Sequence, residues 1–384
     1  MKIICSQESL LHGIQIVQKG ISPKIGLPIY NGILFEVGVN NKLHLFATDL
    51  EIGIDCNVPA QIIESGSVVI PNRIISDLIR KFPKGNIEIE SSEKNNIIIR
   101  ENNAIYKILG FSSEEFSNFP EIKLKYKIKI KQKIFKEAIS QTIFATSRDE
   151  GISFLNGILL KIIDNKMEMV ATDSHRLSYK KIEELIIEKK SSENFEVIIP
   201  YRALAELYKL LSEEEELIEI WIEDQQIMFI LEGVNNIRFY SRLIEGKFPD
   251  YQQIIPISFN TEIRLNNEEF RDKIERISLF GREELNTVKI EVSNKNLDKQ
   301  TEERSEMLIR AENPTIGEAL EKLACFKKGE NIIISFNSKY ILEAVKVINS
   351  ENIILKINEH LSPAIITPED DKNYLHIVMP MRSE

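Results

Sequence analysis

Five consecutive polar residues, Thr172 to Arg176, carry the side chains best suited to chemistry in this 384-residue chain. Asp173 and His175 are of the types used in acid–base catalysis, and Ser174 between them could act as a nucleophile. A catalytic serine of that kind also needs a sharp strand–turn–helix motif, which this stretch lacks. Because the chain has only five His and no second cluster of this kind, the sequence favours binding over catalysis.

Motifs for cofactors and metals are also absent from the sequence. It contains no Walker A loop, no Gly-x-Gly-x-x-Gly and no His-Glu-x-x-His. Cys5, Cys56 and Cys325 are far apart, which is typical of buried free thiols in a reducing cytosol rather than of a zinc site. We therefore predict that the chain is not an enzyme and has no catalytic residue, no metal and no cofactor.

The polar cluster follows a predicted β-hairpin. Two apolar runs, Ile158–Ile163 and Met167–Ala171, flank the turn-forming pair Asp164-Asn165. The second strand of this hairpin leads directly into Thr172. A polar segment at a strand end can reach solvent or a partner, so the hairpin would position the cluster for binding.

The same pattern occurs twice. Asn31-Gly32 precedes Ala47-Thr48-Asp49 in the first occurrence, and Asn156-Gly157 precedes Ala171-Thr172-Asp173 in the second. The offsets are 125 and 124 residues. A fixed long period of this kind indicates duplicated structural units, and the chain length leaves room for a third, more divergent copy.

Each copy is predicted to contain two helices among short strands. The helices show apolar residues at helical spacing, with Pro or Asn near several of their starts. Ser293–Met307 is polar and charged, so we predict an inserted loop there. The fold class is α+β, with three tandem pseudo-equivalent domains at 1–124, 125–252 and 253–384. The predicted helices are Gln7–Gly20, one that begins at Pro71, Lys131–Arg148, Pro200–Leu211, Asn267–Gly281 and Asn337–Asn349.

The composition excludes some classes of protein. No apolar run approaches the roughly 18 residues needed to span a bilayer. The N-terminus reaches Gln7 and Glu8 without the apolar region of a signal peptide, which predicts a cytoplasmic protein. Sheets with free edges at both ends of such a repeat are expected to pair with a second copy of the chain.

The charge is distributed unevenly. The chain has a net charge of −10, but the helical segments 7–20, 71–84, 131–148, 200–211, 267–282 and 337–349 together carry +8 and the remainder −18. This pattern indicates a basic helical surface that could hold phosphates without sequence preference. The alternative is that helices simply expose Lys and Arg. The alternating lysines of Lys123–Lys133 are interpreted differently, as one solvated face of a strand or linker rather than a DNA contact.

Four motifs in order resemble those of the bacterial sliding clamps, the β subunits of the replicative DNA polymerase III, over essentially the whole chain. They are Leu155-Asn156-Gly157, Ala171 to Leu177, Gly246-Lys247-Phe248-Pro249-Asp250-Tyr251 and Val378-Met379-Pro380-Met381-Arg382. The resemblance implies a DNA-clamp fold that closes as a head-to-tail ring homodimer, with helices around a central hole. It implies several partners: double-stranded DNA, a clamp loader, the replicative polymerase, and other polymerases or repair proteins.

Partners of this family insert a short peptide, with a Gln and paired Leu or Phe residues, into a hydrophobic cleft. The aliphatic and Met side chains would form adaptable pockets, and Arg176 and His175 would orient peptide carbonyls. By resemblance, the cleft residues here are Leu155, Thr172, His175, Arg176, Leu177, Pro249, Ile254, Asn337, Tyr340, Ile353, Ile377, Val378, Met379, Pro380, Met381 and Arg382.

The family pattern also implies DNA contacts at Lys24, Arg73, Arg148, Phe154 and Arg202. The chain departs from relatives at Ser153, Gln253, Leu285 and the Ser383-Glu384 end, and in the 293–307 segment. Two hypotheses remain beside the clamp. One is a peptide-binding scaffold without a DNA role, which the net acidity favours, and the other is an enzyme centred on Asp173 and His175.

Overall fold

A computed structural model describes residues 1–22, 26–37, 42–92, 95–149, 153–189, 194–233, 235–281, 286–293 and 303–382. Lys24, Leu285, Ser383 and Glu384 therefore lie outside the described residues, as does most of the predicted insertion. In chain order, the first thirteen strands are β1 Lys2–Ser6, β2 Gly32–Val37, β3 Leu43–Thr48, β4 Ile52–Val58, β5 Gln61–Glu64, β6 Gly66–Pro71, β7 Asn86–Ser91, β8 Asn96–Glu101, β9 Ala104–Leu109, β10 Tyr126–Lys131, β11 Gly157–Ile163, β12 Lys166–Thr172 and β13 Arg176–Ile182.

The remaining strands and the α-helices complete the described secondary structure. The strands are β14 Ile186–Lys189, β15 Phe195–Pro200, β16 Leu217–Ile222, β17 Gln226–Leu231, β18 Ile237–Arg242, β19 Thr261–Asn266, β20 Thr287–Ser293, β21 Glu303–Asn313, β22 Gly317–Gly329, β23 Ile332–Asn337, β24 Asn352–Ile357, β25 Ala364–Pro368 and β26 Tyr374–Val378. The α-helices are α1 Gln7–Val17, α2 Asn72–Lys81, α3 Gln132–Thr142, α4 Tyr201–Tyr208, α5 Asn267–Ser278 and α6 Ser338–Lys346.

Side-chain caps explain where several helices begin. Ser6, Asn266 and Asn337 each accept a hydrogen bond from a backbone N–H in the first turn of α1, α5 and α6. Such caps satisfy N–H groups that have no partner inside the helix. All six helices were predicted near these positions.

The chain divides into two compact units. The first comprises Met1–Lys136, Glu184–Glu193 and Arg202–Ile244, and the second comprises Glu137–Glu183, Asn194–Tyr201 and Glu245–Glu384. In the first unit, one sheet has the order β5-β1-β7-β8-β9 and another the order β14-β10-β16-β17-β18-β4-β3-β2-β6. In the second unit, a single sheet has the order β15-β11-β12-β13-β26-β25-β24-β19-β22-β21-β20-β23.

The strand order contains one pattern three times. One antiparallel ladder is β1-β7-β8-β9, and its counterparts are β10-β16-β17-β18 and β19-β24-β25-β26. A second ladder is β6-β2-β3-β4, with counterparts β15-β11-β12-β13 and β23-β20-β21-β22. The prediction of three tandem α+β copies with antiparallel sheets is therefore confirmed. The domain boundaries after 124 and 252 stay a prediction.

Each helix buries one apolar face. In the first unit, α1 buries Leu10, Ile14 and Val17, and α2 buries Ile75 and Ile79. In the second unit, Phe270 and Ile274 of α5 share a core with Ile341 and Val345 of α6, among other residues. At roughly 1.5–3 kcal/mol for each large apolar side chain removed from water, these faces account for much of the helix docking energy.

The prediction of a loop at Ser293–Met307 is wrong for both ends of the segment, which lie in strands. Ser293 ends β20 and Glu303–Met307 lie in β21, while residues 294–302 lie outside the described part. In β21, Ser305 pairs with Cys325 and Met307 with Leu323. Met307 is fully buried, so the charged residues around it occupy the solvent face of a strand.

Three of the alternating lysines, Lys127, Lys129 and Lys131, lie on strand β10, as predicted, but they are paired rather than simply solvated. Nζ of Lys127 and Nζ of Lys129 each lie within 3.2 Å of carboxylate oxygens of Glu188 and Glu219. Both carboxylates come from the neighbouring strands β14 and β16. Cross-strand ion pairs thus explain this lysine pattern, and no DNA contact is needed to account for it.

Candidate functional site

The Thr172–Arg176 cluster is a turn held by its own side chains. Oγ1 of Thr172 donates to the Arg176 carbonyl at 2.6 Å and accepts from the Ser174 N–H at 3.2 Å. Oδ1 of Asp173 accepts from the N–H groups of His175 and Arg176, both at 3.0 Å. Ser174 adopts φ +75°, in the left-handed region. Asp173 therefore organises backbone and does not orient the His175 imidazole, which removes the main geometric support for a catalytic site.

The same turn occurs in the first copy and, in part, in the third. Thr48 donates to the Ile52 carbonyl, and Asp49 accepts from the N–H groups of Glu51 and Ile52. In the third copy Asn313 accepts from the N–H groups of Thr315 and Ile316. Asx side chains commonly stabilise turns in this way. The Ala-Thr-Asp repeat thus has a structural reason in both copies that contain it.

Arg176 distinguishes the second copy from the other two. Its Nε donates to Asp173 at 2.9 Å, its Nη2 donates to the Phe144 carbonyl at 2.6 Å, and its Nη1 donates to Glu343. The guanidinium also lies 4.4 Å from the centre of the Tyr340 ring. Arg176 is only 7% exposed, and every guanidinium nitrogen has a partner within the chain. Arg176 therefore joins β13 to α6.

Sequence reasoning missed Glu343 and Phe144. Asn337, Tyr340 and Glu343 are spaced three residues apart, so they lie along one side of α6. That spacing from two predicted cleft residues was the available signal for Glu343. Phe144 left no such signal, because it takes part through its backbone carbonyl and ring.

His376 lies beneath this network, opposite Ser178 in the β13–β26 pairing. Its imidazole is fully buried and packs 5.4 Å from the Phe144 ring. Neither ring nitrogen has a hydrogen-bond partner among the described residues. Burial, and to a lesser extent the charge of Arg176, lower the pKa of His376 to about 3. His376 is therefore neutral at physiological pH.

Strand pairing brings the two ends of the predicted cleft together. Arg176 lies opposite Val378 and Leu177 opposite Ile377, although about 200 residues separate them in sequence. Beyond the strand, the Met379 N–H donates to the His175 carbonyl at 2.9 Å. The Met381 N–H donates to the Ser335 carbonyl of β23 at 2.7 Å. The C-terminal motif is thus fixed beside the turn at 172–176.

The predicted cleft residues differ in exposure. His175, Ile254, Met379 and Arg382 are exposed, and Pro249, Asn337, Tyr340, Pro380 and Met381 are partly buried. The remainder are buried: Leu155, Thr172, Arg176, Leu177, Ile353, Ile377 and Val378. Ile353 is a core residue, paired with Leu265 of β19 and Pro368 of β25. The exposed and partly buried members would form the accessible surface.

The Gly246–Tyr251 motif is anchored on the sheet of the second unit. The Tyr251 hydroxyl donates to Oε2 of Glu168 at 2.5 Å, and Oε1 of the same carboxylate accepts from Tyr179 at 2.8 Å. Gly246 has φ +138°, and a Cβ there would meet Phe154 at 3.4 Å. These contacts fix the segment that carries Pro249 and Ile254.

The predicted DNA contacts lie in different environments. Arg73 is exposed on α2 and forms no ion pair with a described residue. Arg148 is exposed and stacks on Tyr201, with 3.3 Å between the guanidinium carbon and the ring centre. Phe154 is partly buried, in a 3₁₀ helix at Ser153–Asn156. Arg202, by contrast, pairs with the buried carboxylate of Asp49, so much of its charge is already neutralised.

One cavity of about 690 Å³ contains residues of both predicted sites. Leu155, His175, Arg176 and Tyr340 of the predicted cleft line it together with the DNA candidate Arg148. No described group of three or more metal-ligating side chains occurs here or elsewhere. The cavity lining offers aromatic and charged surfaces for binding.

Comparison with known proteins identifies the family. The chain matches three models described as the DNA polymerase III beta subunit: its N-terminal domain over residues 1–120, its central domain over 129–250 and its C-terminal domain over 252–382. It is 32% identical to the beta sliding clamp of Staphylococcus epidermidis over 393 residues, with all of both chains covered. The chain belongs to the bacterial sliding clamp family. Members of this family are processivity factors of DNA polymerase, and the prediction of the family from sequence motifs is confirmed.

Solved sliding clamps share the whole fold. The Bacillus subtilis clamp aligns with a TM-score of 0.92 at 29% identity, with full coverage of both chains. A Pseudomonas aeruginosa clamp bound to griselimycin aligns with a TM-score of 0.91 at 25% identity, also with full coverage. Across the described part of this sliding clamp chain, none of the helices has the length and apolar character that a membrane span requires.

Proposed function

We propose that the chain is a ring-forming processivity clamp rather than an enzyme. Two copies join head to tail around duplex DNA in the cytoplasm after loading by a clamp loader that uses ATP. The ring slides on loose phosphate contacts and carries the replicative polymerase, other polymerases or repair proteins on its peptide cleft. Such tethering raises the effective concentration of a partner at DNA without a new catalytic step.

The observation that carries this proposal is a strand junction that occurs twice within the chain. In the first unit β18 pairs with β4, and in the second unit β26 pairs with β13. Each junction joins the last strand of one ladder to the strand that follows the Asx-stabilised turn. The third ladder end and the third post-turn strand are not joined in this way. They are β9, the last strand of its ladder, and residues 317–323 of β22, which follow the turn at Asn313. Each has an edge that pairs with no described strand. Free edges of this kind are competent to pair with another chain.

The two observed junctions also specify a register. Ile3, Ile128 and Ile263 each lie four residues before the first helix of their copy. From each of them, three successive strand pairings cross the ladder. On the last strand of the ladder, the residues reached in this way are Tyr106, Phe239 and His376. Phe239 lies opposite Ile54 and His376 opposite Ser178. Both partners come five residues after the turn residue, Asp49 or Asp173.

The same rule applied to Asn313 places Glu318 opposite Tyr106 of the next copy, and hence Ala319 opposite Ile105. The exposed apolar side chains near these edges support pairing. On β9, Ile105 is 62% exposed and Leu109 is 76% exposed, and on β22 Leu320 is 53% exposed. Two such junctions, one at each end of a dimer, close a ring with the point symmetry expected of homo-oligomers.

We predict that a disulfide will form between copies in the double variant Ile105→Cys with Ala319→Cys. Directly opposed residues bring Cβ atoms within about 5.5 Å, which suits a disulfide. The native cysteines are all buried and should not compete. Mild oxidation should give a covalent dimer on a denaturing gel. The control pair, Ile105→Cys with Glu321→Cys, is shifted by two residues and should not crosslink; equal crosslinking of both pairs would contradict the register.

The proposed peptide cleft lies along the turn that precedes β13 and the residues that follow β26. Its exposed surface would include His175, Met379 and Tyr340, with the network around Arg176 as a rigid side wall. Met is well suited to a binding surface because its flexible, polarizable side chain adapts to different partners.

We predict that the protein, once loaded by its clamp loader with ATP, will be retained on nicked circular DNA and lost when the circle is cut. A ring that encircles DNA cannot dissociate from a circle without opening, but it slides off a linear end. Gel filtration of labelled protein with the DNA before and after linearisation measures this. Equal retention on both forms would indicate electrostatic binding alone and would overturn the clamp mechanism.

A further inference from the structure

Lys339 and Arg202 occupy equivalent positions in two copies of the fold. Both α4 and α6 follow the edge strand of their ladder, β15 and β23, and begin at Tyr201 and Ser338. Arg202 and Lys339 are therefore each the second residue of the helix. Arg202 is a predicted DNA contact, whereas no role was predicted for Lys339.

The two cations differ in what neutralises them. Arg202 pairs with Asp49, which is the turn residue of the first copy. In the second copy the turn residue is Asp173, and it pairs with Arg176 instead. Arg176 also takes the carboxylate of Glu343. As a result, Lys339 is exposed and its ammonium group has no ion pair or hydrogen bond with any described residue.

The position of Lys339 is electrostatically unusual for a lysine. Its N–H donates to the capping side chain of Asn337, so it lies in the first turn of α6. The positive end of the helix dipole disfavours a cation there and favours an anion. An anion bound beside Lys339 would thus be attracted by both the ammonium group and the helix.

Lys339 lines the same cavity as Arg148, which stacks on Tyr201 and also lacks an ion pair with a described residue. We propose that Lys339, together with Arg148, contacts the phosphate backbone of DNA, and that it does so in place of Arg202, whose charge is held by Asp49. This inference rests on the proposed clamp function. The alternative ligand at this cavity is an acidic, Leu/Phe-containing partner peptide. The experiment below distinguishes peptide binding from DNA binding.

The test is the salt dependence of binding to a short fluorescent duplex, measured by anisotropy for the full-length protein and for Lys339→Gln. Loss of one phosphate contact should reduce the slope of log affinity against log salt by about 0.9 and weaken binding several-fold at low salt. Lys372→Gln is the matched control, because it removes the same charge from an exposed turn between β25 and β26. Its slope should equal that of the wild type. The melting temperature of Lys339→Gln should not fall, since the helix dipole disfavours a cation at this position.

Each outcome has a defined meaning. A reduced slope in Lys339→Gln but not in Lys372→Gln supports the contact. Equal slopes for all three proteins overturn it, and so does a variant that loses affinity for a Leu/Phe-containing partner peptide while its DNA slope is unchanged. If the wild type itself neither binds the duplex nor stays on a nicked circle, the proposed clamp function fails, which is a different result.

Discussion

Arg176→Ala is expected to lower the melting temperature by about 6–12 °C. The substitution leaves Asp173, which is 14% exposed, and Glu343 without their cation. It also removes the hydrogen bond to the Phe144 carbonyl and the stacking on Tyr340. Breaking a buried ion pair from one side costs about 3–5 kcal/mol, and the partial exposure of Glu343 places this case near the lower limit. A loss of about 3 kcal/mol gives the stated shift for a unit of roughly 200 residues.

A second arginine provides the comparison. Arg264 also stacks on an aromatic ring, at 4.6 Å from the centre of Phe326, and pairs with Glu369 at 3.7 Å. Its side chain is 33% exposed, so Arg264→Ala should cost less than about 1 kcal/mol. Arg176→Lys should not restore the stability, because lysine has neither the planar fork nor the stacking surface. Similar melting temperatures for Arg176→Ala and Arg264→Ala would show that the Arg176 network contributes little.

A double-mutant cycle measures how much of the Glu343 contribution to stability depends on Arg176. If Glu343 acts mainly through Arg176, then Glu343→Ala should cost much less in an Arg176→Ala background than in the wild type. Partner-peptide affinity measured on the same four proteins tests whether the network also shapes the cleft. Additive effects would mean that Arg176 and Glu343 stabilise the unit independently.

Local structure was predictable from sequence because its causes are local. Asp164 and Asn165 have φ +49° and +62°, as a tight two-residue hairpin turn requires. Asn266 caps α5, directly before the predicted helix start at Asn267. The two Ala-Thr-Asp segments form identical turns, so their repetition was a sound indicator of duplicated units.

The rest depended on contacts between distant parts of the chain. Nothing near Arg176 in sequence indicates that Glu343, 167 residues later, is its partner. In the same way, Arg202 matches the family pattern for a DNA contact, but the buried Asp49 occupies its guanidinium. Residue type identifies what a side chain can bind, whereas its availability depends on the neighbours that folding brings to it.

The error at Ser293–Met307 has a related cause. A strand whose outer face is charged has few apolar residues, and only the alternation of Ser305, Met307 and Ile309 indicates that one face is buried. The partner strand β22 places the buried side chains of Leu323 and Cys325 opposite Met307 and Ser305. Polarity alone was therefore a poor guide to a loop.

The buried histidine should make stability depend on pH. His376 has a pKa of about 3 in the folded protein, against an ordinary value of 6.5, because burial disfavours its charged form. Above pH 6.5 the imidazole is neutral in both states and exerts no pH effect. As the pH falls from 6.5 towards 3, only the unfolded chain takes up the proton, so folding is progressively disfavoured. At pH 5 the cost is about 2 kcal/mol, or roughly 4–8 °C in melting temperature.

His376→Leu removes this proton uptake, so its melting temperature should fall less than that of the wild type between pH 7.5 and pH 5. His360→Leu is the control, because His360 is exposed in the turn after β24 and should retain the wild-type pH dependence. The comparison is between slopes with pH, which a change in packing alone would leave unaltered. Parallel curves for wild type and His376→Leu would mean that the imidazole can be protonated in the folded protein. The β13–β26 junction would then be accessible to water.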